Sequence, residues 1–273
     1  MTNRKAYVLV SFAVIALLAS LYLNPGVQKA TINASATEST TSTFVNPQTV
    51  ETITSTTQSK EDALESTYVS TTVAPTQTIE TANYSLYLPK GMNYNINHPL
   101  VVALSPSADA ASMISAWKNV ADRHQWIVYA SKTFKNGVCI GNPMQDILSD
   151  LSVLENEYPV NRTRIIVTGF SGGAMFSHAF TFYHPKNVSA IVLNTGMIDQ
   201  LYYQNETYLQ FFPRNKTAVF LASPTDFRYE QMKKDKELLD SLGWRTKWIE
   251  FTGGHTIAPE AAYEEAAEWL ESG

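Results

Sequence analysis

A serine hydroxyl is a poor nucleophile until a base takes its proton, and that base works best when a carboxylate holds its tautomer. Ser171, Asp226 and His255 have the residue types for this division of labour. They follow one another in the order Ser…Asp…His, which is expected when a strand-turn-helix nucleophile opens the set. Ser171 lies in Arg164-Ile-Ile-Val-Thr-Gly-Phe-Ser-Gly-Gly-Ala-Met-Phe, a Gly-x-Ser-x-Gly turn between an apolar run and a helical pattern. A serine aimed out of so tight a turn takes a strained backbone. The residues two before and two after it then approach too closely for side chains, which gives Gly169 and Gly173 a steric reason. Ser171 would stand at a helix N-terminus, where free backbone N–H groups hold developing negative charge.

The acid and the base each have rivals. Asp226 lies in Ser223-Pro-Thr-Asp-Phe after an apolar run, and Asp199 follows the preceding run. A turn aspartate that caps the next helix is the plain alternative for Asp226. His255 lies in Thr252-Gly-Gly-His-Thr. His98, His124, His178 and His184 occupy positions that read as structural or surface sites. An acyl-transfer site also needs two oxyanion donors. One is the Gly172 N–H. The other falls in Ser105-Pro-Ser-Ala-Asp, at Ser107 or Ala108, because Pro106 has no N–H to give.

These groups need a scaffold. From about residue 84, apolar runs and helical patterns alternate. Strands are predicted at 84–88, 100–104, 126–130, 165–167, 188–193, 218–222 and 247–251. Helices are predicted around Met113 to Ala121, around Ile147 to Tyr158, behind Ser171, and over 229–242 and 259–270. Strands alternating with helices imply one α/β domain: a mostly parallel central sheet with helices on both faces. Its catalytic groups belong at the carboxyl ends of the strands.

The 273 residues divide in three. Residues 1–30 contain an almost unbroken apolar run at 6–23 behind Arg4 and Lys5, which reads as a signal peptide or an uncleaved membrane anchor. Residues 31–81 are rich in Thr and Ser and poor in large apolar groups, which reads as a disordered stalk open to O-glycosylation. Residues 82–273 form the catalytic domain. This order places the domain outside the cytoplasm, anchored or secreted. Asn33, Asn83, Asn161, Asn187, Asn205 and Asn215 stand in glycosylation sequons. Cys139 is the only cysteine, so no intramolecular disulfide forms; it is expected to pack as a small apolar group. A net charge of −5 without a basic stripe argues against nucleic acid as a partner. Tyr202, Tyr203, Tyr208, Phe211 and Phe212 cluster between Met197 and Thr217. They form either an aromatic cap that binds substrate or an ordinary connection packed on the sheet.

The chain resembles the α/β-hydrolase superfamily over roughly residues 84 to 271. Within it, the resemblance is to predicted esterases grouped with polyhydroxybutyrate-depolymerase-like, feruloyl-esterase-like and phospholipase/carboxylesterase-like enzymes. It rests on Pro99-Leu-Val-Val-Ala-Leu, Trp117-Lys-Asn-Val-Ala-Asp, the Ser171 elbow, Leu193-Asn-Thr-Gly, the Asp226 loop, Gly253-Gly-His and the terminal Trp269-Leu helix. The resemblance implies hydrolysis of small or polymeric esters through a serine acyl-enzyme, with no cofactor and no metal. Peptidases, acyltransferases and inactive hydrolase-fold binding proteins are alternatives on the same scaffold. Members usually carry His-Gly at the oxyanion loop, where this chain has Ser105-Pro106.

Overall fold

A computed structural model of the chain describes residues 77–199 and 206–273. The apolar N-terminal run, most of the Thr/Ser-rich segment, Tyr202 and Tyr203 lie outside the described residues. Among the described residues, no helix is long and apolar enough to cross a membrane.

The strands are β1 Gln77–Glu80, β2 Tyr84–Leu88, β3 His98–Leu104, β4 Ile127–Ser131, β5 Val160–Phe170, β6 Ala190–Asn194, β7 Thr217–Ala222 and β8 Arg245–Glu250. The helices are α1 Ala110–His124, α2 Gly141–Glu157, α3 Gly172–Tyr183, α4 Glu206–Phe211, α5 Tyr229–Ser241 and α6 Glu260–Glu271. All the strands join one sheet in the order β1-β2-β4-β3-β5-β6-β7-β8. β1 and β2 are antiparallel to their neighbours, and the rest of the sheet is parallel.

The central parallel strands read as apolar runs, β5 over 165–167, because both faces are covered there, whereas the edge strand β8 is largely polar. Leu100, Val102, Leu104, Ile165 and Val167 pack on one face with Ile147 and Leu151 of α2 and Phe180 of α3. Val101, Ala103, Ile166 and Val192 pack on the other with Trp117 of α1 and Tyr263 of α6. Each fully buried Leu or Val contributes about 1.5–3 kcal/mol relative to exposure. Helix α1 starts where Asp109 accepts the Ser112 N–H at 3.0 Å. It stops where Gln125 enters the left-handed region at φ 56°. Between them Met113, Trp117, Val120 and Ala121 form its buried stripe.

Two expectations are corrected. The stalk was expected to run to residue 81, yet Gln77–Glu80 pairs with β2 through Thr78↔Tyr87 and Ile79↔Leu86. An unpaired strand edge accepts a short β-prone segment by backbone bonding alone, which composition does not register. Cys139 is exposed and not packed. It lies in the turn that leads into α2, where its carbonyl accepts the Asn142 N–H at 3.2 Å.

Candidate active site

The end of β5 turns directly into α3 at Ser171, whose φ of 54° and ψ of −116° are strained for a residue with a side chain. Backbone bonds hold it there. Its N–H donates to Asn194 O at 2.9 Å, and its carbonyl accepts from Ala174 N–H at 3.1 Å and Met175 N–H at 3.2 Å. A Cβ on Gly169 would lie 2.2 Å from the Gly173 carbonyl carbon, and one on Gly173 would lie 2.1 Å from Leu104 O. Neither position has room for any side chain. The same closeness sets the end of β3, and the loop that follows it, against the turn.

The carboxyl ends of β5, β7 and β8 lie on one edge of the sheet, and the structure brings the three expected residues together there. His255 Nε2 is 2.9 Å from Ser171 Oγ. His255 Nδ1 is 2.5 Å from Asp226 Oδ2. The Asp226 side chain is fully buried, whereas that of His255 is 28% exposed. The imidazole is flanked by Phe170 at 5.2 Å and Phe227 at 4.7 Å between ring centroids. Asp199 is exposed. It is Asp226, and not its rival, that meets the histidine.

Several positioning residues escaped the sequence reasoning. Asn194, fully buried at the end of β6, pins the loop that carries His255. Its Oδ1 accepts from Ala258 N–H at 2.8 Å and Tyr263 O–H at 2.9 Å, and its Nδ2 donates to Thr256 O at 3.2 Å. Ser223 Oγ accepts the Gly254 N–H at 2.9 Å and ties the acid loop to the histidine loop. Asn194 stands in the Leu193-Asn-Thr-Gly motif, so its presence was visible while its role was not. Arg228 is also unforeseen. Its Nη1 donates to Ser171 Oγ at 3.3 Å and to Thr195 O at 3.5 Å. Burial holds its guanidinium below the usual arginine value, with Asp226 acting in the opposite direction. The only signal for it in the sequence was its place two residues after Asp226.

Gly172, as the first residue of α3, keeps an N–H that the helix cannot satisfy. The Asn136 side-chain amide lies over it: a Cβ on Gly172 would be 2.0 Å from Asn136 Oδ1. The Asn136 N–H donates to Pro106 O at 2.8 Å, and Ser107 forms an isolated bridge with Lys135. Residues 135–136 therefore brace the loop after β3. Within that loop the Ser107 N–H donates to Ser105 Oγ at 3.3 Å, and the Ala108 N–H donates to Ser105 O at 3.3 Å.

The aromatic segment is corrected in part. Phe212 is a core residue, 4% exposed, with its ring 5.6 Å from Phe182 and 6.4 Å from Trp244. Tyr208 meets the same Phe182 edge-on at 6.0 Å. Packing on α3 takes both rings, burying Phe212 and partly covering Tyr208, because the apolar surface there is large enough to receive them. Phe211, by contrast, is 72% exposed.

The other histidines have local explanations. His98 is buried between Gln125 O and Asn93 O, each 2.8 Å away. His124 lies 2.9 Å from both Glu264 and Glu271. His178 is fully buried in α3, and neither ring nitrogen has a hydrogen-bond partner among the described residues. Burial pushes its pKa down to about 3, so the ring is neutral. Burial also pushes Asp235 up to about 8, against the lowering effect of the Ile198 N–H that it accepts at 2.7 Å.

No family model matches the chain. No curated protein matches its sequence. Solved structures do match in shape. The fluorophosphonate-binding serine hydrolase FphF of Staphylococcus aureus superposes with a TM-score of 0.59 at 12% identity, covering 72% of this chain and 99% of its own. A ferulic acid esterase superposes with a TM-score of 0.56 at 15% identity, covering 71% and 95%. A hyperthermophilic esterase from Pyrobaculum calidifontis superposes with a TM-score of 0.55 at 13% identity, covering 73% and 85%. At such low identity the likeness concerns architecture alone. Together with the mostly parallel eight-stranded sheet and its helix-covered faces, it establishes that this chain has the α/β-hydrolase fold.

Proposed function

We propose that the chain is a serine hydrolase that cleaves carboxylic esters through an acyl-enzyme. The observation that carries this reading is the hydrogen-bonded line from Ser171 Oγ through His255 to buried Asp226, starting from a strained strand-to-helix turn. Ser171 Oγ attacks the ester carbonyl while His255 Nε2 takes its proton. Asp226 holds the Nδ1 proton and stabilises the imidazolium that forms. The oxyanion meets the N–H groups of Gly172 and Ser107. The Ser107 donor is held only by a 3.3 Å bond to a hydroxyl, which an anion readily displaces. Collapse breaks the C–O bond, and the alcohol leaves with the proton from His255. Water, activated by the same imidazole, then releases the acid and restores Ser171. The serine hydrolases and esterases among the structural neighbours support this reaction class.

We place the domain outside the cytoplasm, anchored or released, on the strength of the apolar run at residues 6–23 behind Arg4 and Lys5. Protease added to intact cells that express the full chain should remove it; complete protection would overturn this placement.

The decisive experiment for the chemistry is covalent labelling. A fluorophosphonate should add one phosphonyl group to Ser171, identified by peptide mass, and Ser171→Ala should neither label nor turn over p-nitrophenyl acetate. Labelling or turnover that survives in that variant sinks the assignment.

A further inference from the structure

We propose that Arg228 makes this site selective for esters that carry a carboxylate close to the scissile bond. The inference rests on the serine-hydrolase reading above and extends it to the class of substrate.

A guanidinium offers five N–H donors and accepts nothing. That of Arg228 reaches the nucleophile itself, with Nη1 donating to Ser171 Oγ at 3.3 Å and to Thr195 O at 3.5 Å. Both contacts are longer than the usual 2.7–3.2 Å of an N–H···O bond. Its Nε is buried without a hydrogen-bond partner among the described residues. No carboxylate forms an ion pair with it there. The nearest acid, Asp226, is already committed: Oδ2 to His255 Nδ1 and Oδ1 to the Arg228 backbone N–H at 2.7 Å. The Phe227 ring, 5.1 Å from Cζ, adds a face but no counter-charge.

A cation that is partly dehydrated and weakly held beside the reacting oxygen loses solvation without compensation in the free enzyme. A substrate anion supplies that compensation. The planar fork pairs two donors with a carboxylate, an arrangement that lysine does not reproduce. Geometry limits where the anion sits. With Nη1 so near Oγ, a carboxylate in contact with the guanidinium lies roughly two to four bonds from the carbonyl under attack. Half-esters of short dicarboxylic acids meet that condition through the acyl part. Acyl esters of short hydroxy acids meet it through the alcohol part.

The test compares kcat/KM for three esters of similar size. They are neutral methyl butyrate, monomethyl succinate with its carboxylate on the acyl side, and O-acetylglycolate with its carboxylate on the alcohol side. Wild type should prefer at least one anionic ester over the neutral one by about tenfold or more, and the preferred ester shows which side the carboxylate occupies. Arg228→Gln should reduce that preference at least about tenfold, chiefly through KM. Arg228→Lys, which keeps the charge and most of the stem, should retain more of it. A preference absent in wild type, or equal in wild type and Arg228→Gln, overturns the proposal. Equal losses on all three esters also overturn it, since they would mark Arg228 as a general oxyanion donor or a structural prop. Calorimetric titration of succinate into Ser171→Ala and Ser171→Ala/Arg228→Gln needs no turnover. The affinity should fall at least about tenfold in the double variant, and equal affinities count against the proposal. Failure to turn over any ester, with no labelling of Ser171, would sink the hydrolase reading instead, and the succinate titration would still decide the role of Arg228.

Discussion

The Tyr263 hydroxyl of α6 donates to Asn194 Oδ1 at 2.9 Å, and through this bond the last helix is fastened to the end of a central strand. The same Oδ1 accepts the Ala258 N–H, and the Asn194 backbone carbonyl accepts the Ser171 N–H. One buried residue therefore holds the strand-to-helix turn at Ser171 through its backbone carbonyl and the segment that follows His255 through its side-chain amide. Asn194→Ala leaves the Ala258 donor and the Tyr263 hydroxyl unpaired in the interior. It should destabilise the fold by about 1–3 kcal/mol. If His255 is the base, as proposed, it should also lower kcat more than it raises KM, because it shifts the loop that carries His255. Tyr263→Phe removes one partner cleanly and should cost about 1 kcal/mol. Urea midpoints and steady-state kinetics check both.

Asp226→Asn should reduce kcat by on the order of a thousandfold or more, because an amide no longer holds the Nδ1 proton and favours the wrong tautomer. Asp199→Asn should stay within a few-fold of wild type. Equal effects of the two substitutions on p-nitrophenyl acetate hydrolysis would count against Asp226 as the orienting acid.

The Ser171 backbone stores strain at φ 54° and ψ −116°. Glycine adopts such angles freely, whereas alanine keeps the offending Cβ. Ser171→Gly should therefore be more stable than Ser171→Ala by about 1 kcal/mol, and neither should turn over an ester. Thermal melts of the two variants measure the difference.

Gly173→Ala should destabilise by about 1–3 kcal/mol, because its Cβ would lie 2.1 Å from Leu104 O and backbone must shift to admit it. Gly141→Ala is the control, since a Cβ there meets nothing within 4 Å. It should change the urea midpoint little or raise it slightly.

Two buried groups give stability opposite pH slopes. The folded pKa of His178 is about 3, below its unfolded value of about 6.5, so the unfolded chain binds the extra proton between them. Its contribution is present above about pH 6.5 and is lost as pH falls towards 3. The folded pKa of Asp235 is about 8, above its unfolded value of about 3.9, so the folded chain binds the extra proton between them. Its contribution is present at about pH 4 and is lost as pH rises towards 8. His178→Phe should flatten the acid side of the stability curve, and Asp235→Asn the alkaline side. Urea unfolding at a series of pH values reads both slopes.

Much of this molecule was legible in the chain because its strands and helices carry strong local signals. The apolar runs of β3, β4, β6, β7 and the 165–167 stretch of β5 needed no tertiary information, since strands covered on both faces must be apolar throughout. Edge strand β8, Arg245-Thr-Lys-Trp-Ile-Glu, carries a weaker signal. The order of Ser171, Asp226 and His255 was equally local, each following an apolar run at a loop. Gly169 and Gly173 announced a turn too tight for side chains. What sequence alone left open depended on distance in space. Asp226 and Asp199 follow adjacent strands in similar loops, and only the folded sheet brings one of them to His255. Phe212 fitted either a cap or a packed connection, and the apolar surface of α3 claimed it for the core. Gln77–Glu80 looked like stalk, and the free edge of β2 made it a strand. Asn194 and Arg228 are single polar residues without a periodic or spacing signature. Their roles arise from hydrogen bonds to groups dozens of residues away, and only the tertiary structure brings such partners within 3.5 Å.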